Sequence, residues 1–529
     1  MVTGIFVGLL LLAVVFAYVA YTELIWTRSL QKRQAILDKL RLERGASAQY
    51  KFVGFFHPYC NAGGGGERVL WTAIAHIQQE HKDIVSVVYS GDTDASKQDI
   101  INKVKAHFAI DLEPSTLHFV YLKSRHLVEG SGWPRFTILG QSLGSMYLAW
   151  EAMCELIPDL YIDTMGYAFT FPAVAWLTRA AVPIGAYVHY PTISTDMLSR
   201  VPTDSWKMLS KRMCVPRFLI VSWLYYRITM YYYALSLSNA RFLMVNSSWT
   251  RDHITSIVSH EHFGPAVQYA HALTPLVLFW FALSAKAIRH IMLLLDGYTA
   301  VGAQGNSLVR PEIVYPPCDT REIAKFNLEN RDPIILSVAQ FRPEKDHQAQ
   351  LRAFAQLLMD HPEYRSTSET AVRLVLLGGA RNKDDLERVG TLRSLATELD
   401  IDKQVAFVVN APYPDVLQWL SRSSIGLSTM VDEHFGINIV EYMAAGLIPL
   451  THASGGPLRD IVVPYRSQPT GFHAKTPGEY SAAMHQILTM DAVQERAYRE
   501  RARRWAVQKF SEDEFIKGWE KSGWRRYVR

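Results

Sequence analysis

From Tyr50 onward the chain alternates short apolar runs with helical patterns. YKFVGFFHP, DIVSVVYSG, TLHFVYL, DLYIDTMG, PIGAYVHYP and RFLMVNSS form a first series, with helices such as ERVLWTAIAHIQQEH between them. EIVYPP, PIILSVAQF, VRLVLLGG, QVAFVVNA, SIGLSTM and LIPLTHAS form a second, beginning near Glu312. Apolar runs of this kind lack strict alternation, as strands buried on both faces of a parallel sheet do. The pattern predicts an α/β chain of two Rossmann-like doubly wound domains facing across a cleft, with ligands at the carboxyl ends of the strands. RFLMVNSSWTRD reads as the last strand of the first sheet, entering a helix capped near Ser248.

The N-terminus departs from this rhythm. Val2 to Thr22 is uncharged, long enough to cross a bilayer, and followed by Arg28, Lys32, Arg33, Lys39, Arg41 and Arg44. Basic residues after an apolar run, rather than before it, predict a retained transmembrane helix with a cytosolic body. Two further apolar stretches interrupt the middle. Phe218 to Ser238 carries Arg227 at its centre; Ala266 to Ala285 is broken by Pro275. If one of them crossed the bilayer, the two halves would lie on opposite sides. If both crossed, the sequon Asn246-Ser247-Ser248 would be lumenal and open to glycosylation. Segments lying in the membrane interface avoid both outcomes, and a buried core helix is an equal alternative for 218–238. The domain plan is therefore 1–27 anchor, 28–49 basic juxtamembrane segment, 50–259 first domain with an interfacial segment over 217–238, 260–310 hydrophobic insertion, 311–490 second domain and 491–529 C-terminal helices.

Composition narrows the class. The 529 residues are 49% apolar and 20% charged, a globular balance, and the formal charge of +5 is too slight to imply nucleic acid. Cys60, Cys154, Cys214 and Cys318 lie far apart with no CxxC, reading as reduced thiols.

The chemistry concentrates in MVDEHFGINIVEYMAAG (430–446). A strand ends before it and helical periodicity begins near Gly436. Gly436 admits close approach to the backbone, and the N–H groups of Gly436, Ile437 and Asn438 form an anion site at the helix start. Glu433 on the loop and Glu441 in the helix then flank a bound diphosphate, each able to accept two hydrogen bonds from a sugar diol. Taken alone, such a pair is better read as an N-terminal-turn acid favouring the helix dipole plus an ordinary helix-surface acid. SVAQFRPEKD (337–346) also follows a strand, and Arg342 and Lys345 can put two cations on a leaving diphosphate. HPYCNAGGGGERVLW opens a helix from Gly63–Gly66, and His189 sits in VHYP at a strand end. The triplets DTD (92–94) and DID (400–402) are at the wrong place for a metal motif, so no metal is expected.

Together these stretches resemble the EHFG-x4-E signature of the retaining GT-B glycosyltransferases. In that family the first glutamate contacts the donor sugar and the second the ribose, with the intervening amides on the diphosphate. The resemblance implies Glu433, His189, Lys345 and Arg342 as catalytic residues, and Phe435, Gly436, Ile437, Asn438, Glu441, Gly64 and Gly65 as donor-binding. Gln340 stands where the family has arginine, with Arg342 beside it. The longer matches, including YVHYPTISTDML, MVNSSWT, IVYPPCD and VAQFRPEKDH, are similar to the endoplasmic-reticulum α-1,2-mannosyltransferases of asparagine-linked glycosylation. That resemblance implies GDP-mannose as donor, a dolichol-diphosphate-linked oligosaccharide extended from three mannoses to five as acceptor, and no cofactor. It also implies the cytosolic face of the endoplasmic-reticulum membrane, and a complex with other lipid-linked-oligosaccharide mannosyltransferases. A GT-B enzyme with another nucleotide-sugar donor, or an inactive scaffold of the same fold, would keep much of the same sequence.

Overall fold

The apolar runs become parallel strands. The computed structural model describes residues 2–40, 50–192, 217–259, 309–365 and 371–528. The first sheet contains β1 (Lys51–Phe56), β2 (Ile84–Ser90), β3 (Leu117–Tyr121), β4 (Leu160–Asp163), β5 (Ile184–Val188), β6 (Phe242–Val245) and β7 (Glu312–Ile313), in the order β3-β2-β1-β4-β5-β6-β7. The second contains β8 (Asp332–Val338), β9 (Arg373–Gly378), β10 (Val405–Val409), β11 (Ser423–Ser428), β12 (Ile448–His452) and β13 (Phe472–Ala474), in the order β10-β9-β8-β11-β12-β13. Both sheets reverse direction beside their first strand, between β1 and β4 and between β8 and β11.

Helices complete the two units. In chain order these are α1 (Val2–Lys39), α2 (Gly65–Glu80), α3 (Lys97–Phe108), α4 (Thr137–Glu155), α5 (Thr170–Leu177), α6 (Arg217–Leu237) and α7 (Ser248–Val258). They continue as α8 (His347–Asp360), α9 (Lys383–Glu398), α10 (Tyr413–Arg422), α11 (Ile437–Ala445), α12 (Pro477–Leu488), α13 (Ala492–Phe510) and α14 (Glu512–Lys521). One unit holds Met1–Val245, Arg251–Glu312 and Trp519–Arg529; the other holds Asn246–Thr250 and Ile313–Gly518. EIVYPP thus supplies the last strand of the first sheet rather than opening the second series, and the C-terminal helices are shared out. Trp519 stacks on Phe55 in the first unit, while Ala502, Ala506 and Phe510 of α13 pack into the second.

Burial on both sheet faces explains the unbroken apolar runs. All seven residues of β2 are buried, as are Phe52, Val53, Phe55 and Phe56 of β1. In the second unit one layer sets Leu351, Phe354 and Leu357 of α8 on the sheet, and the other sets Ile439, Val440 and Met443 of α11 on it.

The N-terminal helix differs from expectation. It runs unbroken to Lys39, through the segment expected to be a separate basic flank. Tyr18, Thr22, Ile25 and Ser29 are buried on the first domain. Tyr18 Oη donates to Trp176 O at 2.7 Å, Ser29 Oγ accepts from Ile157 N at 2.8 Å, and Arg33 forks onto Asp159. Among the described residues no helix is long and apolar enough to cross a membrane. Hydropathy registers which residues are apolar, not what they pack against. Segment 217–238 forms α6, with Met230, Tyr233, Ala234 and Leu237 buried, so its C-terminal half is a core helix. Residues 41–49, the 266–285 stretch and nearly all of 260–310 lie outside the described residues. The sequon is sealed: Asn246 is buried, its Oδ1 accepting from Thr250 Oγ1 at 2.6 Å.

Gly378, at the end of β9, shows how tightly the strand ends are packed. A Cβ there would lie 1.8 Å from Ala339 O, in the loop leading to Arg342 and Lys345. Backbone cannot swing aside as a side chain can. Gly378→Ala should therefore destabilise the protein by at least about 1–3 kcal/mol, read as a lowered melting temperature; an unchanged melt would refute this packing.

Candidate functional site

In the second unit, β8 and β11 leave the sheet's reversal point and each is followed by a loop. The β8 loop carries Arg342 and Lys345; the β11 loop carries Glu433 and runs to α11. The structure brings Lys345 and Glu433 into direct contact, Nζ donating to Oε2 at 2.6 Å, with their side chains 22% and 11% exposed. Lys345 Nζ also lies 3.2 Å from Met430 Sδ. Thr429 fixes the lysine loop, its Oγ1 donating to the carbonyls of Lys345 and Asp346 at 3.0 Å and accepting from Gln350 Nε2. Arg342 is more exposed, 3.9 Å from Glu344 Oε1, and stands outside this contact.

The turn into α11 needs its glycine. Gly436 has φ +110°, in the region that side chains disfavour, and starts a helix whose first N–H groups have no intrahelical partner. Those N–H groups belong to Ile437 and Asn438, as expected. Asn438 is further held by its Nδ2, which donates to Val338 O at 3.1 Å. Phe435 takes a different place: its ring is buried between Tyr315 and Phe510, so it anchors the loop in the core and leaves only its backbone for a ligand. Glu441 is half-buried on α11.

SGGP (454–457), which resembles the family's loop near the donor base and phosphate, backs this loop. Gly456 N donates to Glu433 O at 2.7 Å, and Ser454 Oγ accepts from Asp432 N at 2.7 Å. A Cβ on Gly455 would lie 2.3 Å from Glu433 O, and one on Gly456 2.6 Å from His434 O. The SGGP sequence is thus the support that lets two backbones touch behind Glu433.

The first unit has its own polar group where its sheet reverses. Gly64 is the N-cap of α2, and its N–H donates to the Glu67 carboxylate. His189, after β5, is packed among side chains with Nε2 donating to Thr164 O at 3.1 Å. Burial first, then the neighbouring His57, pushes His189 down to about 4, so the ring is neutral near pH 7. Gly65 is the first residue of α2, and a Cβ on Gly66 would sit 3.5 Å from His189 Nε2. Asp163, at the end of β4, is fully buried; burial pushes it up to about 7, against hydrogen bonds from the N–H groups of Met165, Gly166 and Tyr167.

The discounted acidic triplets do other work. Asp92 accepts from Asn61 N and pairs with Arg125; Asp400 is exposed beside Arg365. Among the described residues one group has metal-type donors, His361, Glu363 and His485. Its two imidazoles stack face to face at 3.6 Å and 4°, so one ion cannot lie in both ring planes. The thiols of Cys60, Cys154 and Cys318 are unpaired with one another, and Cys214 lies outside the described residues.

Two doubly wound parallel sheets, with a cation–carboxylate pair and a helix start at a strand-end crevice, define a glycosyltransferase of the GT-B class. Solved structures with this fold include an α,α-trehalose-phosphate synthase (UDP-forming) from Burkholderia vietnamiensis, with 12% identity, TM-score 0.58, and coverage of 90% of this chain and 99% of that one. Residues 319–505 match the family described as glycosyl transferases group 1, and residues 50–258 that described as ALG11 mannosyltransferase N-terminus. Proteins named GDP-Man:Man(3)GlcNAc(2)-PP-Dol alpha-1,2-mannosyltransferase are 40% identical in Xenopus laevis, over 97% of this chain and 95% of that protein. The human protein of the same name is 41% identical over 88% and 84%. The chain belongs to this mannosyltransferase family.

Two measurements test the geometry. In thermal melts, Lys345→Met, Glu433→Gln and the double variant should show a coupling of roughly 0.5–3 kcal/mol, because removing one partner strands the other half-desolvated; additive effects would mean the contact is not formed. For Asp163 the raised value means the fold favours the protonated acid. That contribution is present below the unfolded value of 3.8 and is lost as pH rises towards 7. The melting temperature of Asp163→Asn relative to the parent should therefore climb between about pH 4 and pH 7 and level off above. A constant difference would refute the assignment.

Proposed function

We propose that the chain is a retaining α-1,2-mannosyltransferase that moves mannose from GDP-mannose to the Man3GlcNAc2 oligosaccharide carried on dolichol diphosphate, adding the fourth and fifth mannoses. The observation that carries the mechanism is the Lys345–Glu433 pair set beside the start of α11. The two groups suit the two halves of a sugar nucleotide. An ammonium and backbone N–H groups complement a diphosphate, and a carboxylate complements adjacent sugar hydroxyls. In the free protein each neutralises the other, so neither charge is left uncompensated before the donor arrives.

In this reading the diphosphate meets the N–H groups of Gly436, Ile437 and Asn438, and Lys345 turns part of its charge to it, joined by Arg342. Glu433 accepts from the mannose hydroxyls and Glu441 from the ribose. Charge that develops on the leaving diphosphate is met by donors already in place, which is where such groups lower a barrier most. The acceptor 2-hydroxyl attacks C1 from the face the diphosphate leaves, the C1–O bond to phosphate breaks, and a donor phosphate oxygen takes the hydroxyl proton. Configuration is retained without a carboxylate nucleophile. The reading calls on no metal ion or cofactor. His189, with Gly64 and Gly65, serves the reacting sugars from the first domain. The names of the relatives support the two substrates. A polyprenyl-linked acceptor calls for a membrane surface, which on this reading is the cytosolic face of the endoplasmic reticulum, with the N-terminal part of α1 holding the protein there beside partner mannosyltransferases.

Purified, detergent-extracted protein given GDP-mannose and a lipid-linked trimannosyl acceptor should yield products one and two mannoses longer, inhibited by GDP more than by UDP. Glu433→Ala and Lys345→Ala should each lose roughly 10²-fold or more in turnover while still melting cooperatively. Near-normal rates in either variant would refute these roles.

A further inference from the structure

The helix α4 is apolar on both sides. From Thr137 to Trp150 it carries no charged side chain. Its inner face, including Leu148, Ala149, Ala152 and Met153, is buried in the first unit. Phe136, Leu139, Leu143, Tyr147 and Trp150 follow at helical spacing on the other face, from 36% exposed at Trp150 to 58% at Phe136. A helix bordering water turns charged and polar residues outward. Five large apolar side chains in one exposed row mark an interaction surface.

The row is held outward at both ends. Phe136, the N-cap of α4, has φ +54°, a left-handed backbone that a large side chain adopts only at a cost. Its ring meets Tyr225 of α6 edge-on at 5.4 Å, and Tyr225 Oη accepts from Leu139 N at 2.9 Å. At the far end Trp150 Nε1 donates to Tyr21 Oη of α1 at 2.6 Å, with the Tyr147 ring 5.1 Å from the indole. Leu24, exposed one turn beyond Tyr21, continues the apolar surface along α1.

The charges around the row select its occupant. Arg135 precedes Phe136, Arg28 lies one turn beyond Leu24, and Lys123 stands where its N–H meets Glu151; all three cations are exposed. The neighbouring acids are engaged within the protein. Glu151 accepts from Lys123 N and Ser124 N, Glu155 pairs with Lys32, and Glu23 pairs with Arg179. An apolar row with aromatic rings, rimmed by cations, complements acyl chains beneath anionic headgroups.

We propose that the exposed face of α4, from Phe136 to Trp150, docks on the surface of an anionic phospholipid bilayer, with Arg28, Lys123 and Arg135 at its headgroups. This rests on the transfer reading only for the need of a membrane, since contact with lipid is measurable without the reaction.

The test uses full-length protein freed of detergent, with an environment-sensitive nitrobenzoxadiazole label on Leu143→Cys; the parent, treated alike, gives the background from native thiols. Acceptor-free vesicles of phosphatidylcholine and phosphatidylserine should shift this label to the blue. The same label on Leu386→Cys, an exposed apolar position of the second unit, should not respond. Half-maximal response should need roughly 5-fold more lipid when phosphatidylserine is left out. Leu139→Glu in the labelled protein should raise the lipid needed roughly 10-fold. If that variant does not fold, Phe136→Gly, which suits the left-handed backbone, should also raise it without lowering the melting temperature. No shift at Leu143→Cys, an equal shift at Leu386→Cys, or a shift that the folded variants leave unchanged would overturn the proposal. So would a label already blue-shifted before lipid is added, since a second copy, in a dimer, or another part of this chain, in a monomer, would then cover the face. Protein that meets lipid in this way but transfers no mannose would sink the function reading alone.

Discussion

Parallel strands that depart from a common first strand in opposite directions cannot cover the gap between their own carboxyl ends. The crossover after β8 goes one way to β9, and β11 lies on the other side, so the loops after β8 and β11 diverge around a crevice. Everything chemical in the second domain follows from this constraint. Lys345 and Glu433 are 88 residues apart in sequence, yet one sits on each side of the gap, close enough to meet at 2.6 Å. The first sheet reverses in the same way between β1 and β4, and His57 and Thr164 meet across it.

A half-buried ion pair does not hold such a crevice open unaided, since desolvation takes back much of the Coulomb gain. The loops are instead fixed by packing that tolerates no side chain. Gly426 of β11 lies under the Tyr442 ring, where a Cβ would come within 2.3 Å, and Tyr442 Oη accepts from Val338 N at 2.6 Å. Gly455 and Gly456 press backbone on backbone behind Glu433. Phe435 reaches into the core and ties the start of the glycine turn to α13. The charged pair thus inherits its geometry from uncharged neighbours.

Much of this was legible in the sequence. Parallel strands buried on both faces write themselves as β-branched runs, and the turn at Gly436, with Glu433 before it and Lys345 on the neighbouring strand-end loop, stands where the pattern puts it. What escaped had weaker local signals. β13 is three residues long, Phe472–Ala474, too short to show a period. β7 was grouped with the sequence it precedes, because pairing with β6 is decided by tertiary contact. The apolar start of α1 reads as a membrane span, and composition does not record that Tyr18, Thr22 and Ile25 are buried against the domain. Phe435 is legible as part of its motif, but not that its ring is buried between Tyr315 and Phe510. His57 and Glu67 left no trace as a pair, since their link to Thr164 and His189 exists only once three strand ends lie side by side.

The two reversal points also differ in electrostatic character, and the difference suits different chemistry. The second offers a cation, an anion and a helix start, the groups needed to recognise and release a charged diphosphate. The first holds its titratable groups close to neutrality: burial keeps His189 uncharged and pushes Asp163 up to about 7, and the ionised Glu67 is consumed internally by Gly64 and His57. A single sheet topology, used twice, therefore yields two reversal points of different electrostatic character, each set by which side chains are charged there and which are held neutral.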